Sequence, residues 1–423
     1  MATDGTTEEV DVEPAEPRVA GFAGRIEAVQ TLGLRSFRFY LFSNLVFFFG
    51  QQMQLVARQW LLMGLTPSRV LLGMIGFSQG LAVLILSLLG GVVADRLARR
   101  HLLMAGQAGQ LAVAIAMAAL VTTHSVQIWH IIAASLAIGL FLAFSQPATQ
   151  TFVFDLVGKR RLMNALAMNS AASSLSQMGG PALAGLLIAA IGVAGTYWAS
   201  SGGYMMAILM LAAIPIAGRT ATRRSGSLRT EIAEGFREVR KNEAVLWLLG
   251  FAAVSTFGAA LFALRPVYAK EILKVGPTGL GEMGAAWGAG SIAGAILVAS
   301  LGNIRRKGLT VIFSGLAWYG SMMVYAFSRS FPLTLALEVI LGFSTMFWSP
   351  SVMTAIQSCV AEEMRGRVLS IYFMCIQGVS LGHLLAGVLA DRFSDTTAMA
   401  FGAAVGLSFH VYVLLRSPVM RKL

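Results

Sequence analysis

The sequence predicts an all-α membrane protein whose twelve transmembrane helices form two pseudo-symmetric six-helix bundles. Composition, apolar periodicity and an internal repeat lead there. Hydrophobic residues make up 56% of the 423 residues and charged residues only 12%, against about 25% charged in a soluble domain. Apolar runs of the length needed to cross a bilayer, about 20 residues each, recur along the chain. Motifs of the first half return about 200 residues later, the size of six spans with their connections. The mean hydropathy is +0.71, and the 45 glycines suit membrane helices, where small residues let backbones approach.

Residues 1–35 read as a cytoplasmic tail, polar and acidic as far as about Gly21, with no apolar core of a signal peptide. The first bundle is expected over 36–218. Its spans run from about Phe39 to Gly64, Leu71 to Ala94, Leu102 to Thr122, Ile128 to Phe152, Leu166 to Val193 and Tyr197 to Ala217. Residues 219–243 are charged and read as a cytoplasmic linker. Leu228, Ile232, Phe236 and Val239 recur there at the spacing of an amphipathic helix. The second bundle is expected over 244–417, with spans starting near Val245, Leu280, Leu309, Pro332, Val368 and Ala398, and 418–423 as a cytoplasmic C-terminal tail.

The net charge of +12 reads as topology rather than as a nucleic-acid surface. With the N-terminus inside, about 25 of the 32 Lys and Arg residues fall on the inner side. The inner segments hold Arg96, Arg99 and Arg100, Lys159 to Arg161, the linker arginines, Arg305 to Lys307, Arg365, Arg367 and the basic C-terminus. Arg69, Lys270, Lys274 and Arg392 stay outside. Trp60, Trp129 and Trp198 fall at outer span ends and Trp247 at an inner one, as an aromatic belt requires. An even number of spans puts both termini in the cytoplasm.

The repeat is visible in two stretches. Ser145-Gln146-Pro147 is followed by Lys159-Arg160-Arg161 and then by Gly180-Pro181-Ala182-Leu183-Ala184-Gly185. Trp348-Ser349-Pro350 is followed by Arg365-Gly366-Arg367 and then by Gly382-His383-Leu384-Leu385-Ala386-Gly387. Two parallel halves split by a charged linker imply a cavity between them near the bilayer midplane.

Between the second and third spans lie Gly91, Asp95, Arg96, Arg99 and Arg100. A glycine, then Asp-Arg, then a basic pair resembles the loop signature of the major facilitator superfamily. Further runs resemble the bacterial branch of secretion effectors that includes enterobactin exporters. These are Met53-Gln54, Val56-Ala57, Trp60-Leu61, Leu156-Val157, Leu162, Asn164-Ala165, Ser170 and the stretch from Gly180 to Gly185. The resemblance implies alternating access in a bacterial inner membrane, with Asp95 and its basic neighbours as a latch against the inner start of span eleven, near Arg365 to Arg367. The bland alternative is a solvated cluster that only sets topology. The sequence departs from the signature at Ala98, where glycine is common. The second-half copy has Ser300-Leu301 where an acid would stand.

Arg58 and Arg265 occupy equivalent positions in the first helix of each half. An arginine in a span costs about 2.5–3.5 kcal/mol on insertion scales unless it finds water or a partner. Either they line the cavity with Gln51, Gln54, Gln146 and Trp348 and favour an anionic or polar substrate, or they snorkel to the headgroups. Glu338 and His383 are the ionisable groups in spans best placed for proton exchange; the alternatives are an interhelical hydrogen bond and a packed histidine. Gly180 and Pro181 interrupt span five as a hinge. They resemble in part the glycine-proline signature of proton-coupled exporters.

Cys359 and Cys375 show no metal-ligand spacing, and no GxxxxGK[ST] or HExxH run is present. The expectation is a transporter and not an enzyme. It would have no metal or organic cofactor and draw on the proton gradient. Its partners would be a small-molecule substrate and the lipid bilayer, with no nucleic acid, and the chain would be a monomer. The function expected is proton-coupled export of a siderophore, drug or metabolite. The alternatives are an uptake permease, or a sensor or scaffold of the same fold.

Overall fold

The computed structural model describes residues 30–94, 98–216, 237–302 and 306–423. These are nearly all helical, with no strand among them. In chain order the helices are α1 (Arg35–Leu65), α2 (Arg69–Ala94) and α3 (Arg99–Thr122). A continuous segment follows, Ile128–Ala212, broken at two glycines into α4 (128–157), α5 (159–191) and α6 (193–212). Then come α7 (Glu243–Val267) with a π-helical turn (Tyr268–Ile272), α8 (Gly276–Leu301), α9 (Lys307–Phe327) and α10 (Phe331–Cys359). The last are α11 (Glu362–Gln377), α12 (Val379–Arg392), α13 (Asp395–Arg416) and α14 (Pro418–Lys422). The described segments long and apolar enough to cross a membrane include Ile128–Ala212 and the joined pair α11 and α12 (Met364–Arg392).

Local sequence sets the ends. Gly158 (φ 70°) and Gly192 (φ 74°) adopt the left-handed backbone that only glycine enters without strain, so each reverses the chain in one residue. The fifth helix therefore starts at once after Gly158, earlier than the Leu166 expected from hydropathy. The charges of Lys159 to Arg161 delay the apolar run but not the helix. Asn242 caps α7 by accepting from the Ala244 and Val245 amides, and Ser394 caps α13 by accepting from Thr397. Pro266 removes a backbone donor at the end of α7, and the chain widens into the π turn just beyond it.

Leu228, Ile232 and Phe236 of the expected linker helix lie outside the described residues, and Val239 is buried beside α7. Residues 418–423, expected as a tail, form the docked turn α14. Met420 is fully buried and the Leu423 carbonyl accepts from the Lys307 amide at 3.0 Å.

Apolar packing divides unevenly along the long axis. At the end where α1 turns into α2, one core joins helices from both sides of the linker, including Leu62, Ile75, Leu264, Met283, Met322 and Met399. At the opposite end there are separate cores. One holds Phe37, Leu102, Phe152 and Leu211, and the other Leu248, Ile312, Ile356 and Val413. Helices α1–α6 and α7–α13 thus share a core at one end only. Large apolar side chains such as Ile85, Leu209, Ile296, Phe327 and Leu415 face outward, as a lipid-embedded surface requires.

Candidate functional site

Two crossings hold α1–α6 against α7–α13. In the first, α5 lies on α8: a Cβ on Gly284 would stand 2.4 Å from Pro181 Cβ, and one on Gly288 would stand 2.3 Å from Met178 Cα. Gly180 backs onto Gln52 of α1, so the glycine-proline stretch sits in the contact between the two groups of helices. In the second, α2 lies on α12, with Gly73 and Gly76 cradling the backbone and ring of His383. Bare backbone at these positions permits the approach.

Around these crossings lie three adjoining cavities. The central one, about 250 Å³, is lined from both groups by Gln52, Gln59, Gln177, Arg265, Trp287 and His383, among others. A smaller polar one of about 70 Å³ lies within the first group and shares Gln52 and Leu55 with it. It contains Gln51, Gln54 and Arg58. A third, about 330 Å³, lies in the second group and shares Phe262 with the central one. It is aromatic, with Trp318, Tyr319, Trp348 and Tyr372 in its walls.

Arg58 is 2% exposed, which rules out snorkelling. Its guanidinium donates to the Gln54 carbonyl (3.3 Å), Ser135 Oγ (3.1 Å) and Gln79 Oε1 (3.2 Å). Arg265 borders the central cavity, and its Nη2 donates to Glu338 Oε2 at 2.7 Å; Glu338 is fully buried. Arg265 and Glu338, expected in separate substrate and proton roles, are thus partners in one ion pair. His383 Nδ1 donates to the Val379 carbonyl at 2.8 Å, and the ring lies both in the α2 cradle and on the central cavity. Trp348 lines the aromatic cavity. Gln146 is exposed and borders none of the three. Its neighbour Ser145 is the one turned inward, bonded to the Phe141 carbonyl. One residue along a helix is a rotation of about 100°, enough to move a side chain off the cavity face.

Asp95 and Arg96 lie outside the described residues, and Gly91 is helical backbone at the end of α2. Arg99 pairs with Asp155 of α4 at 2.7 Å, and Arg100 donates to the Ala212 carbonyl. The basic pair is thus tied within the first group. Arg365 donates to the Gln357 carbonyl and Arg367 contacts Met364 Sδ.

The polar ties between the two groups gather at the α1–α2 end. Asp391, closing α12, accepts from the amides of Arg69 (2.7 Å) and Val70 (3.1 Å) and from Ser68 Oγ (2.9 Å), so it caps the start of α2. The Arg69 guanidinium also binds Asp395 at 3.0 Å and Glu271. Lys270 Nζ donates to the Met63 carbonyl at 2.6 Å and lies 5.8 Å from the Trp60 ring. From the sequence, Arg69 and Lys270 count only as outer basic residues, and none of the acids is singled out. The signal was present: Gly387-Val388-Leu389-Ala390-Asp391-Arg392 differs from Gly91-Val92-Val93-Ala94-Asp95-Arg96 at one position. His410 was also missed. It is 1% exposed on α13, lines the aromatic cavity and packs against Phe251 and Tyr319.

Gly76-Phe77-Ser78-Gln79-Gly80 matches the GxSxG run of serine hydrolases. It lies inside α2, where Ser78 Oγ donates to the Met74 carbonyl at 2.7 Å. The strand–turn–helix elbow that exposes such a nucleophile is not built there.

Known proteins resemble this chain in sequence or in fold. The multidrug efflux pump Tap of Mycolicibacterium fortuitum is 26% identical over 363 residues, 83% of this chain and 88% of its own. The enterobactin exporter EntS of Shigella boydii is 26% identical over 347 residues, 81% and 82%. The solved structure of the nucleoside transporter NupG superposes with a TM-score of 0.71 at 13% identity, over 90% of this chain and 98% of that one. A bacterial homologue of the human lysosomal transporter Spinster gives 0.66 at 13% identity, over 92% and 95%. The sequence profile of the transmembrane secretion effectors matches residues 28–422. The chain therefore belongs to the transmembrane secretion effector family of major facilitator transporters.

Proposed function

We propose that this protein is a proton-driven exporter of small molecules in a bacterial cytoplasmic membrane. Its helices would be twelve spans in two pseudo-symmetric six-helix bundles: α1–α6, and α7–α13 with α11 and α12 as one span. Both termini would lie in the cytoplasm. The α1–α2 end then faces outward and is the closed end. The observation that carries the reading is the uneven division of the core. The groups share one core and a polar clasp at the outer end, and have separate cores at the inner end. A cavity closed off outside exchanges with the cytoplasm, which is one of the two states that alternating access needs. Asp95, with Gly91, Arg96, Arg99 and Arg100, would form the inner latch of the opposite state. Gly180 and Pro181 would form the flexible part of the α5 crossing. The exporter names of the relatives favour efflux over uptake.

Proton exchange is placed on Glu338 with Arg265, and His383 is a second candidate. Protonation of Glu338 removes the counter-charge of Arg265, so the charge on the cavity wall changes by one unit between the two forms. The test is transport in proteoliposomes with an imposed pH gradient, read by a pH dye and by a panel of fluorescent amphipaths. Efflux should accelerate with the gradient, and Glu338→Gln should bind substrate yet lose that acceleration. Accumulation in the opposite sense would indicate uptake. Binding without movement would indicate a sensor or scaffold.

A further inference from the structure

Arg58 and Arg265 are repeat mates, but their charges are treated differently. We infer that Arg58 is the anion-binding point of the transport site, and that the substrate is an amphipath with one anionic group and an aromatic or apolar body. The inference rests on the transporter reading above and narrows it.

Ser135 stands in α4 where the repeat puts Glu338 in α10, each twelve residues before the proline of its helix, Pro147 and Pro350. Both are bonded by the arginine of the first helix in their group, Ser135 by Arg58 and Glu338 by Arg265. The second group thus neutralises its cation within the protein. The first group keeps the cation and surrounds it with neutral acceptors: a carbonyl, a hydroxyl and an amide oxygen. None of the salt bridges among the described residues includes Arg58. A buried guanidinium without a carboxylate is costly, and a ligand that brings the missing charge recovers much of that cost.

The space beside Arg58 fits such a group. Its cavity, about 70 Å³, would hold a carboxylate, given that a water occupies about 30 Å³ of liquid. Gln110 Nε2, a buried donor with no partner, belongs to a residue of its wall, as does the unpartnered Gln54 Oε1. The Gln110 amide donor and the Arg58 cation on one pocket suit an anion with two oxygens, whereas Gln54 Oε1 is an acceptor and does not add to that attraction. The substrate body has a path from there, through Gln52 and Leu55 into the central cavity and past Phe262 into the aromatic one. Export of such a compound also runs with the membrane potential, which drives one negative charge outward by about 2.3 kcal/mol per 100 mV.

The same pocket could take an inorganic anion such as chloride, so the experiment separates the two. Full-length protein in lipid nanodiscs is titrated with 1-pyrenebutyrate and with its uncharged primary amide, in gluconate and in chloride buffers, read by energy transfer from tryptophan to pyrene. We expect the carboxylate to bind about tenfold or more tightly than the amide, from one or two charge-assisted hydrogen bonds. The advantage should persist in 0.1 M chloride, vanish in Arg58→Gln and return in part in Arg58→Lys. Equal binding of the two probes overturns the inference and leaves the cavity as a transport site. Loss of the advantage in chloride overturns it in favour of an inorganic anion. Retention of the advantage in Arg58→Gln overturns the role of Arg58. Binding of neither probe overturns both this inference and the reading of the cavity. Should Arg58→Gln fail to fold, the comparison of the two probes on the unmodified protein still decides the question of charge.

Discussion

Arg265 of α7 and Glu338 of α10 form an ion pair of 2.7 Å at the wall of the central cavity, with Glu338 wholly out of solvent. Removing one member of a buried pair leaves the other charged and alone, at a cost of about 3–5 kcal/mol, whereas replacing both by apolar groups of like volume is close to neutral. Glu338→Ala should therefore lower the unfolding midpoint strongly in detergent, and the double variant Arg265→Met with Glu338→Leu should recover most of the loss. A double variant no more stable than the worse single one would show that the pair is not coupled.

Asp391 and Arg69 tie α12 to α2 by backbone and side-chain bonds. A hydrogen bond to a charged group contributes about 1.5–3 kcal/mol, less where solvent reaches it. Asp391→Asn should let the α1–α2 end open severalfold more often. Spin labels at Ser125→Cys and Ser330→Cys, with Cys359 and Cys375 first replaced by serine, should report a longer and broader distance distribution in Asp391→Asn. An unchanged distribution would assign the closure to apolar packing alone.

Two glycines of α8 separate a conformational effect from a structural one. A Cβ on Gly284 meets Pro181 across the groups, whereas one on Gly290 meets the Val339 carbonyl at 2.0 Å within its own group. Gly284→Leu should keep the protein folded but hold α5 and α8 apart, so transport stops while the unfolding midpoint barely moves. Gly290→Leu should destabilise the protein whatever its conformational state. Similar losses of stability in both would remove the distinction.

The C-terminal turn should contribute to stability. Met420 is fully buried against α9 and the Leu423 carbonyl receives a backbone bond. Burial of a methionine side chain gives about 1.5–3 kcal/mol. A chain ending at Ser417 should unfold several degrees earlier, and an unchanged midpoint would show that the turn is only resting there.

The helices were legible because crossing a bilayer demands little more than length and apolarity, and Arg58 stood out because cations at membrane depth are rare. The pairing of Arg265 with Glu338 was not legible. The two are 73 residues apart, and no local pattern links helices that meet only through the turns between them. The clasp at Asp391 lies 322 residues from Arg69, and its charges look like ordinary loop residues until the end of α12 is seen on the start of α2. Gln146 went astray for a smaller reason: membership of a helix was read correctly, but the side of that helix was not. Hydropathy reads the side poorly when a helix faces lipid on one flank and protein on the other.

The single-residue reversals at Gly158 and Gly192 have a mechanical consequence. One residue spans at most about 3.6 Å, less than the 5.4 Å pitch of a helix. Helix α5 therefore has no slack to slide lengthwise by a full turn between α4 and α6. Pro181 then parts from Gly284 by a bend at the glycine-proline stretch or by a tilt that carries the joined ends of α4 and α6 with it, so a strap across α4 and α6 would restrain the tilt without touching the place where cargo sits.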